Sequence, residues 1–350
     1  MNVLDLVRPE IRALDDYSTK APNEQVWMIR LDNNESPWQS PGAVAGLNRY
    51  PPEPLNLIRR MSAYYGAEPE RVLPTRGSDD AIDALIRCFC RPGRDAVLTL
   101  SPTFSMYARF ARLHGTESTE LPLQEDFAPP RRKLLRARDG VKLAFLCSPN
   151  NPTGRAIPNN LVAEVCRTYA KNAIVVVDEA YAEFMRQESA LDLLKHFDNL
   201  AVLRTLSKAF GLAGARVGAL IATPGIIDQV RKVLPPYLLP TPCIAAAERA
   251  LGERNIQVSR QRVARIVTAR DQLARALEQA RDVLTVFPSD ANFVLVHCND
   301  AAGVLRRLTG AGIRVRAFNT PRLTGYLRIG VGRPQDNRAL LAALERRDAA

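Results

Sequence analysis

One lysine among small, apolar and hydroxyl side chains carries the strongest chemical signal in this 350-residue sequence. Lys208 follows Ser207 directly and precedes Arg216 by eight positions. An amine in such surroundings is costly to desolvate, so it suits Schiff-base chemistry better than surface charge. Asp178 ends a short apolar run thirty residues upstream, and Tyr181 follows it. A lysine, an acid and a Ser/Arg pair match three needs of pyridoxal phosphate: a covalent tether, a partner for the ring nitrogen and a phosphate anchor.

Residues 77–79, at the start of a predicted helix, and Asp178 can each be explained in two ways. Gly77, Ser78 and Asp79 open a predicted helix in which Ser78 is the N-cap and Asp79 favours the helix dipole. Free backbone N–H groups at that end would also hold a phosphate, although capping alone accounts for the residues. Asp178 could keep the pyridine nitrogen protonated, or could simply close a helix cap or a salt bridge.

An aromatic ring, an amide and an arginine complete the candidates. Phe104, in Pro-Thr-Phe-Ser-Met-Tyr, either joins the core or stacks on the cofactor. Asn151, in Ser-Pro-Asn-Asn-Pro-Thr-Gly, either shapes a turn or hydrogen-bonds the cofactor's phenolic oxygen together with Tyr181. Arg328 lies inside an apolar strand, where an unpaired guanidinium is unfavourable, so we expect an anionic partner. Spacing alone leaves open whether that partner is an Asp or Glu side chain or a substrate.

Alternating strands and helices must position these residues. Within residues 79–90, apolar side chains recur at i, i+3, i+4 and i+7, which predicts an amphipathic helix. Four apolar runs predict strands buried on both faces: 96–100, 143–147, 174–177 and 201–204. Such strands, separated by helices, favour an α/β fold whose large domain has a mostly parallel sheet flanked by helices. Ligands bind at the carboxyl ends of such strands, so residues 147–151, 178–181 and 205–208 should converge on one edge.

The last third of the chain is typical of a smaller α+β domain. The Pro-rich residues 235–242 predict a hinge. The elements expected after it are a long helical stretch near 244–280, strands at 293–296, 314–316 and 326–330, and a closing helix at 335–347. The predicted units are an N-terminal arm with a short helix over 1–30, a large cofactor-binding domain over 31–239 and a small C-terminal domain over 240–350.

Composition argues against several other classes of protein. Apolar residues make up 46% and charged residues 24%, which is ordinary for a globular protein, and the apolar runs are too short to cross a bilayer. The acidic N-terminus has no apolar h-region, so no secretory signal is expected. Six cysteines without disulfide or zinc spacing, and three histidines without metal-ligand spacing, predict a reducing cytoplasm and no metal. The net charge of +11 comes from scattered basic residues, which favours small anionic ligands over a nucleic acid.

Taken together, these residues resemble the pyridoxal-phosphate aminotransferases of fold type I, and among them the histidinol-phosphate aminotransferases. The resemblance runs nearly end to end. Its motifs include residues 31–37 (LDNNESP), 48–51 (NRYP), 147–154 (CSPNNPTG), 178–181 (DEAY) and 204–216 (RTLSKAFGLAGAR). It implies an enzyme that moves an amino group between L-histidinol phosphate and 2-oxoglutarate with ping-pong kinetics, giving imidazole acetol phosphate and L-glutamate in histidine biosynthesis.

The resemblance also implies roles for individual residues. Lys208 would form the Schiff base with pyridoxal 5'-phosphate, and Asp178 would pair with its ring nitrogen. Asn151 and Tyr181 would hold the phenolic oxygen, and Phe104 would stack on the ring. The residues implied around the cofactor phosphate are Gly77, Ser78, Asp79 (through its backbone), Thr205, Ser207 and Arg216.

Further implied roles concern the substrate and a second subunit. Tyr50 would reach the phosphate of the neighbouring subunit's cofactor, which makes a homodimer part of the prediction. Tyr17, Arg316 and Arg328 match substrate-contacting positions, and a guanidinium can fork onto either a carboxylate or a phosphate. The sequence departs from the family pattern at two positions: Phe104 replaces a common tyrosine and Asp80 a frequent glutamate.

Two other activities fit the same fold. A threonine-phosphate decarboxylase also binds a phosphorylated amine, but needs the substrate carboxylate perpendicular to the cofactor ring. An aromatic-amino-acid aminotransferase would act on phenylalanine without a phosphate. The decarboxylase differs from the aminotransferase in pocket geometry, which the sequence does not display, and the aromatic enzyme differs in its substrate.

Overall fold

Seven strands form the larger of two sheets in the computed structural model, which describes residues 3–15, 29, 31–43 and 46–345. The strands are β1 Val72–Thr75, β2 Ala96–Ser101, β3 Glu117–Pro122, β4 Val141–Cys147, β5 Ile174–Asp178, β6 Leu200–Thr205 and β7 Gly218–Ala222. Their order across the sheet is β1-β7-β6-β5-β4-β2-β3. Only β7 runs antiparallel to its neighbours, so the mostly parallel sheet predicted from the sequence is confirmed.

The four predicted strands of this sheet are present, each extended by one to two residues. Their central residues are buried, as expected for strands covered on both faces; Val175, Val176 and Val177, for example, are fully buried. The sequence analysis missed β1, β3 and β7. β3 lies at the sheet edge, with Glu117 and Glu120 exposed, so its polar pattern hides a strand. β1 is only four residues long and contains Pro74, and β7 (Gly-Ala-Leu-Ile-Ala) has a single β-branched residue.

Helices cover both faces of the large sheet. They are α1 Pro9–Arg12, α2 Leu55–Tyr65, α3 Ser78–Phe89, α4 Met106–Leu113, α5 Arg131–Leu134, α6 Asn159–Tyr169 and α7 Pro224–Val233. One core cluster joins α2 and α6 to one face, and a second joins α3, α4 and α7 to the other. In α3 the side chains at i, i+3, i+4 and i+7 all lie in the core, which confirms the predicted amphipathic helix: Ile82, Leu85, Ile86 and Phe89.

The predicted N-cap of this helix is wrong. The helix begins at Ser78, and its N-cap is Gly77, with φ 79° and no side-chain cap hydrogen bond. Glycine adopts this positive φ without strain, so the chain turns one residue earlier than a serine cap requires.

Four antiparallel strands form the second sheet, in the order β10-β11-β9-β8. They are β8 Val283–Phe287, β9 Phe293–Cys298, β10 Arg316–Ala317 and β11 Tyr326–Gly330. The helices of this part are α8 Thr241–Ala250, α9 Glu253–Leu277, α10 Ala301–Gly310 and α11 Pro334–Glu345. The helical stretch predicted near 244–280 is therefore two helices, which a turn at Leu251 and Gly252 separates.

A separate core packs α9, α10 and α11 against the small sheet. The large sheet ends at Ala222 and the small sheet begins at Val283. The boundaries near 30 and 240 remain predictions. No helix in the described ranges is both long and apolar enough to cross a membrane.

Candidate active site

The carboxyl ends of β1, β4, β5 and β6 lie on one edge of the large sheet. These four strands run in the same direction, because β7 is antiparallel to both β1 and β6. Predicted site residues lie at the end of each strand or within four residues after it: 77–79, 151, 178–181 and 205–208. The topology thus brings together groups that are up to 131 positions apart along the chain.

Asp178 is the buried acid of this edge, with 2% of its surface exposed. The Tyr107 hydroxyl donates to its Oδ2 at 2.7 Å, and the Ala180 N–H donates to its Oδ1 at 3.1 Å. Burial raises the pKa of Asp178 to about 6, and the Tyr107 hydrogen bond opposes that rise. Within the described ranges no Lys, Arg or His forms an ion pair with it. The structure therefore does not support the explanation that Asp178 serves in a salt bridge.

Lys208 follows β6 and is accessible to solvent. Its Nζ lies 5.7 Å from the ring centroid of Tyr181, which is itself buried. Partial burial of the amine lowers the pKa of Lys208, and the positive charges of Arg328 and Arg216 lower it further. The negative charges of Asp79 and Asp178 oppose this shift. The lysine stands out chemically because of its charged surroundings as well as its apolar sequence context.

The predicted phosphate residues form a compact polar cluster beside α3. Thr205 Oγ1 donates to Ser207 Oγ at 3.0 Å, and the Ser207 N–H donates back to Thr205 Oγ1 at 3.2 Å. Arg216 Nη2 donates to Asp79 Oδ2 at 3.2 Å and so reaches the first turn of the helix. A Cβ added at Gly77 would lie 2.8 Å from Arg216 Nη2, a contact that the flexible arginine could relieve, whereas the φ of 79° at this position favours glycine.

Arg328 enters the site from β11 of the small sheet. Its Nη1 donates to Asn151 Oδ1, and its guanidinium lies 5.2 Å from the Phe293 ring centroid. In the described part of the chain it forms no ion pair with a carboxylate, so its partner is a neutral amide oxygen and its charge is available to an anion. Arg316 pairs with Arg328 in the β10–β11 register, which places the two arginines opposite each other.

Two of the remaining predicted residues, Phe104 and Tyr50, contact other aromatic rings, and a third cannot be placed. Phe104 is partly buried and packs edge-on against Tyr107, with 5.7 Å between ring centroids. Tyr50 is 49% exposed and stacks on Tyr237 at 4.5 Å. Tyr17 lies outside the described residues. The roles of all the predicted site residues toward cofactor and substrate remain predictions.

Sequence analysis missed two features that shape this site. Tyr107 follows Phe104 by three residues and lies in the first turn of α4, but its burial and its distant partner Asp178 leave no mark in the local sequence. Glu179 accepts from Arg204 Nη1 at 2.9 Å, and Arg204 Nη2 donates to Glu183 Oε1 at 2.6 Å. This buried network anchors the loop after β5. The sequence signal for this network was Arg204, a charged residue near the end of an apolar strand and four positions before Lys208.

Comparison with known proteins identifies the class. Residues 21–344 match the family described as "Aminotransferase class I and II". The chain belongs to this family and is an aminotransferase.

Several proteins that are similar to this chain over most of its length are histidinol-phosphate aminotransferases. The histidinol-phosphate aminotransferase of Xanthomonas axonopodis pv. citri is 44% identical over 99% of this chain and 97% of its own length. That of Xylella fastidiosa strain 9a5c is 42% identical over 98% of this chain and 96% of its own. The solved histidinol-phosphate aminotransferase from Sinorhizobium meliloti, in complex with pyridoxal-5'-phosphate, superposes with a TM-score of 0.77 at 26% identity, covering 85% of this chain and 82% of that one.

Proposed function

We propose that this aminotransferase transfers an amino group between L-histidinol phosphate and 2-oxoglutarate, with pyridoxal 5'-phosphate as cofactor. One observation carries the proposal: a lysine amine, a buried acid and a hydroxyl and arginine cluster meet at one sheet edge, beside an arginine from the small sheet. Similarity to histidinol-phosphate aminotransferases over nearly the whole chain supports the choice of substrate.

The acid and the lysine fit the ring of this cofactor. A protonated ring nitrogen would supply the cation that Asp178 lacks, and such pairing favours the ionised carboxylate. The amine of Lys208 is accessible and lies beside Tyr181, whose hydroxyl is suited to the phenolic oxygen. Asn151 offers its amide at the same edge.

The polar cluster beside α3 fits the phosphate. Two hydroxyls, Thr205 and Ser207, hydrogen-bond each other, and the guanidinium of Arg216 reaches Asp79 at the N-terminus of the twelve-residue helix α3. Hydroxyls, guanidinium and free backbone N–H groups are the donors that phosphates prefer in proteins. Gly77 keeps the approach to these donors free of a side chain.

When bound, pyridoxal phosphate acts as an electron sink that makes the Cα proton of an amino substrate acidic. The chain must then hold and move that proton. A lowered pKa increases the neutral fraction of Lys208, so Nζ can accept the proton from Cα as a base and release it later as an acid. The Tyr107 and Ala180 donors hold Asp178 in one orientation throughout.

Two arginines account for the recognition of both substrates. Glutamate presents a carboxylate, whereas histidinol phosphate presents a phosphate and no carboxylate. Arg328 can fork onto either oxyanion, and Arg316 on the neighbouring strand adds a second positive charge. Tyr17 would add a contact to the phosphate.

The proposal includes a homodimer in the cytoplasm. The segment around Tyr50 supports a contact with a second copy, because several large apolar side chains are exposed there: Leu31, Trp38, Leu47 and Leu55. Six free thiols are consistent with a reducing compartment. Sedimentation equilibrium on the pure protein checks the dimer, and a monomer at micromolar concentration would contradict it.

Borohydride reduction tests the cofactor assignment. Reducing the yellow protein and mapping its peptides should place a pyridoxyl group on Lys208. Labelling at another lysine, or no labelling, contradicts the assignment.

A spectroscopic cycle tests the substrates. Adding histidinol phosphate should bleach the cofactor band, and adding 2-oxoglutarate should restore it, as two half-reactions require. Bleaching by phenylalanine but not by histidinol phosphate would favour the aromatic enzyme instead. Release of carbon dioxide from threonine phosphate without an acceptor would favour the decarboxylase.

A further inference from the structure

Tyr107 is a fully buried tyrosine whose hydroxyl points at the acid of the active site. It lies in α4 with 0% of its surface exposed, and its hydroxyl is 2.7 Å from Asp178 Oδ2. A hydroxyl buried to this degree needs a partner, and here the partner is the acidic group proposed to face the cofactor ring.

The ring of Tyr107 is fixed by two other aromatic rings. It stacks on Phe145 of β4, with centroids 4.8 Å apart and planes within 10°. Phe104 meets it edge-on at 5.7 Å. Because the ring cannot turn without displacing these neighbours, the position of its hydroxyl is set by the core and not by the ligand.

Tyr107 supplies the only side-chain hydrogen bond to Asp178 within the described ranges. The other donor is the backbone N–H of Ala180, which does not depend on a side chain. A hydrogen bond to an ionised acceptor is about twice as strong as one between neutral groups. Removing the hydroxyl would therefore destabilise the ionised carboxylate of Asp178 more than its protonated form.

We propose that Tyr107 is a positioning residue, which holds the Asp178 carboxylate ionised and oriented toward the ring nitrogen of the cofactor. The inference rests on the proposed function, since it assigns Asp178 to that nitrogen. Tyr107 would thus act on the cofactor only through Asp178. Its neighbour Phe104, which packs against the Tyr107 ring, is the residue predicted to contact the cofactor directly.

Other charged or titratable groups also face Asp178 and must be held constant in any test. They come from every surrounding element: Asp79 in α3, Cys147 in β4, Glu179 and Tyr181 after β5, and Lys208 after β6. None of these residues is substituted when Tyr107 becomes phenylalanine, although Cys147 loses its hydrogen bond to the Tyr107 hydroxyl. A change in the titration of Asp178 can then be traced to the lost hydroxyl.

The first test uses the full-length apoprotein. Burial places the pKa of Asp178 above its ordinary value, so its contribution to stability is present at low pH and lost as pH rises through about 6. The free energy of unfolding is measured against pH for each protein and for the same protein carrying Asp178→Asn. The difference between the two curves gives the contribution of Asp178, and its midpoint gives the pKa of that group. In Tyr107→Phe we expect its midpoint to move up by about one pH unit. A midpoint that does not move overturns the proposal.

Tyr169→Phe is the matched control. Tyr169 is also fully buried, and its hydroxyl donates to the Arg136 carbonyl oxygen at 3.1 Å, away from Asp178. Its removal should lower overall stability and leave the Asp178 midpoint in place. An equal shift in both variants would mean that Tyr107 has a merely structural role.

The second test measures cofactor binding by equilibrium dialysis. Tyr107→Phe should raise the Kd for pyridoxal phosphate about twofold at pH 7 and about tenfold at pH 5, where Asp178 is mostly protonated, with Tyr169→Phe unchanged. If the wild-type chain binds no pyridoxal phosphate, the proposed function fails, and the apoprotein titration still reports on the hydrogen bond. Unchanged affinity in Tyr107→Phe overturns the present inference alone.

A further substitution keeps the proposal testable if Tyr107→Phe does not fold. Replacing Tyr107 with 3-fluorotyrosine retains the ring and makes the hydroxyl a stronger donor. The Asp178 midpoint of the apoprotein should then move down in pH. An upward or absent shift contradicts the proposal.

Discussion

At the scale of single residues, two charged groups of opposite kind depart from their ordinary behaviour for the same reason. Asp178 is buried, whereas Lys208 remains accessible and its amine is only partly shielded, and in both cases the loss of solvent contact favours the neutral form. Perturbed acids and bases that share a sheet edge are typical of active sites. The sequence predicted both residues, because each stands out against its local composition.

Replacing Lys208 with alanine should abolish turnover. The amine is the group proposed to move the Cα proton, and its loss removes acid and base catalysis together with the covalent tether, so we expect kcat to fall by roughly a thousandfold or more. Steady-state assays of the purified variant measure this. Lys195→Ala, at an exposed lysine on the surface, is the control and should keep wild-type kcat. Substantial turnover by Lys208→Ala would contradict the role.

The lowered pKa of Lys208 predicts unusual reactivity in the apoprotein. A depressed pKa leaves more of the amine neutral at a given pH, so acetic anhydride should label Lys208 with a titration midpoint below 10.5, the ordinary value. Competitive labelling followed by peptide mapping gives this midpoint, with Lys195 as the reference amine. A midpoint at or above the ordinary value would refute the electrostatic account of the site.

At the scale of elements, the start of β7 and the start of α3 approach each other so closely that two glycines meet. A Cβ added at Gly218 would lie 2.7 Å from the Gly77 carbonyl carbon and 2.8 Å from the Arg204 carbonyl oxygen. All of these are backbone atoms, which cannot turn aside as a flexible side chain can. The approach brings the phosphate cluster and the helix N-terminus into one place.

Gly218→Ala should therefore destabilise the protein and damage the proposed phosphate site. We expect a loss of about 2 kcal/mol in the free energy of unfolding, together with weaker cofactor binding. Urea denaturation and dialysis measure the two effects. Gly310→Ala is the control, because that position in α10 faces open space and alanine favours a helix. Equal stability of the two variants would show that the approach is not tight.

The paired strands β10 and β11 carry a second prediction. Arg328→Lys keeps the charge but loses the planar fork, so KM should rise about tenfold or more for both glutamate and histidinol phosphate. Arg333→Lys, at an exposed arginine on the following segment, is the control. If only the glutamate half-reaction suffers, one shared arginine does not serve both substrates.

At the scale of the whole molecule, a buried arginine joins the small domain to the loop that carries Tyr181. Arg270 of α9 has 1% of its surface exposed, and its Nη1 donates to the carbonyl oxygens of Phe184 and Ala291 at 3.3 and 3.1 Å. Tyr181 and Phe293 pack edge-on just beyond it, in a small core between the two sheets. Arg270 thus ties the long helix to both sides of the site.

Arg270→Met should lower the free energy of unfolding by about 3 kcal/mol. The methionine fills similar space but leaves two buried carbonyl groups without a donor. Urea denaturation at neutral pH measures the loss. Arg275→Met, on an exposed turn of the same helix, should change stability by less than about 0.5 kcal/mol. A similarly small effect for Arg270→Met would contradict this account.

The sequence by itself determined the fold class, the order of the main strands and the candidate residues that follow them. These features depend on local patterns: apolar runs for buried strands, helical periodicity for α3 and an isolated lysine beside hydroxyls. Because parallel strands end at a common edge, strand order along the chain was enough to predict that Asn151, Asp178 and Lys208 come near one another.

Only the tertiary structure decided which distant groups touch. Tyr107 and Asp178 are 71 positions apart, and Arg328 and Asn151 are 177 apart, so no local pattern links them. The order of strands across the sheet, the close approach at Gly218 and the docking of the small sheet select these pairs. Such contacts depend on how whole elements pack, because a hydrogen bond forms only where packing brings donor and acceptor within about 3 Å.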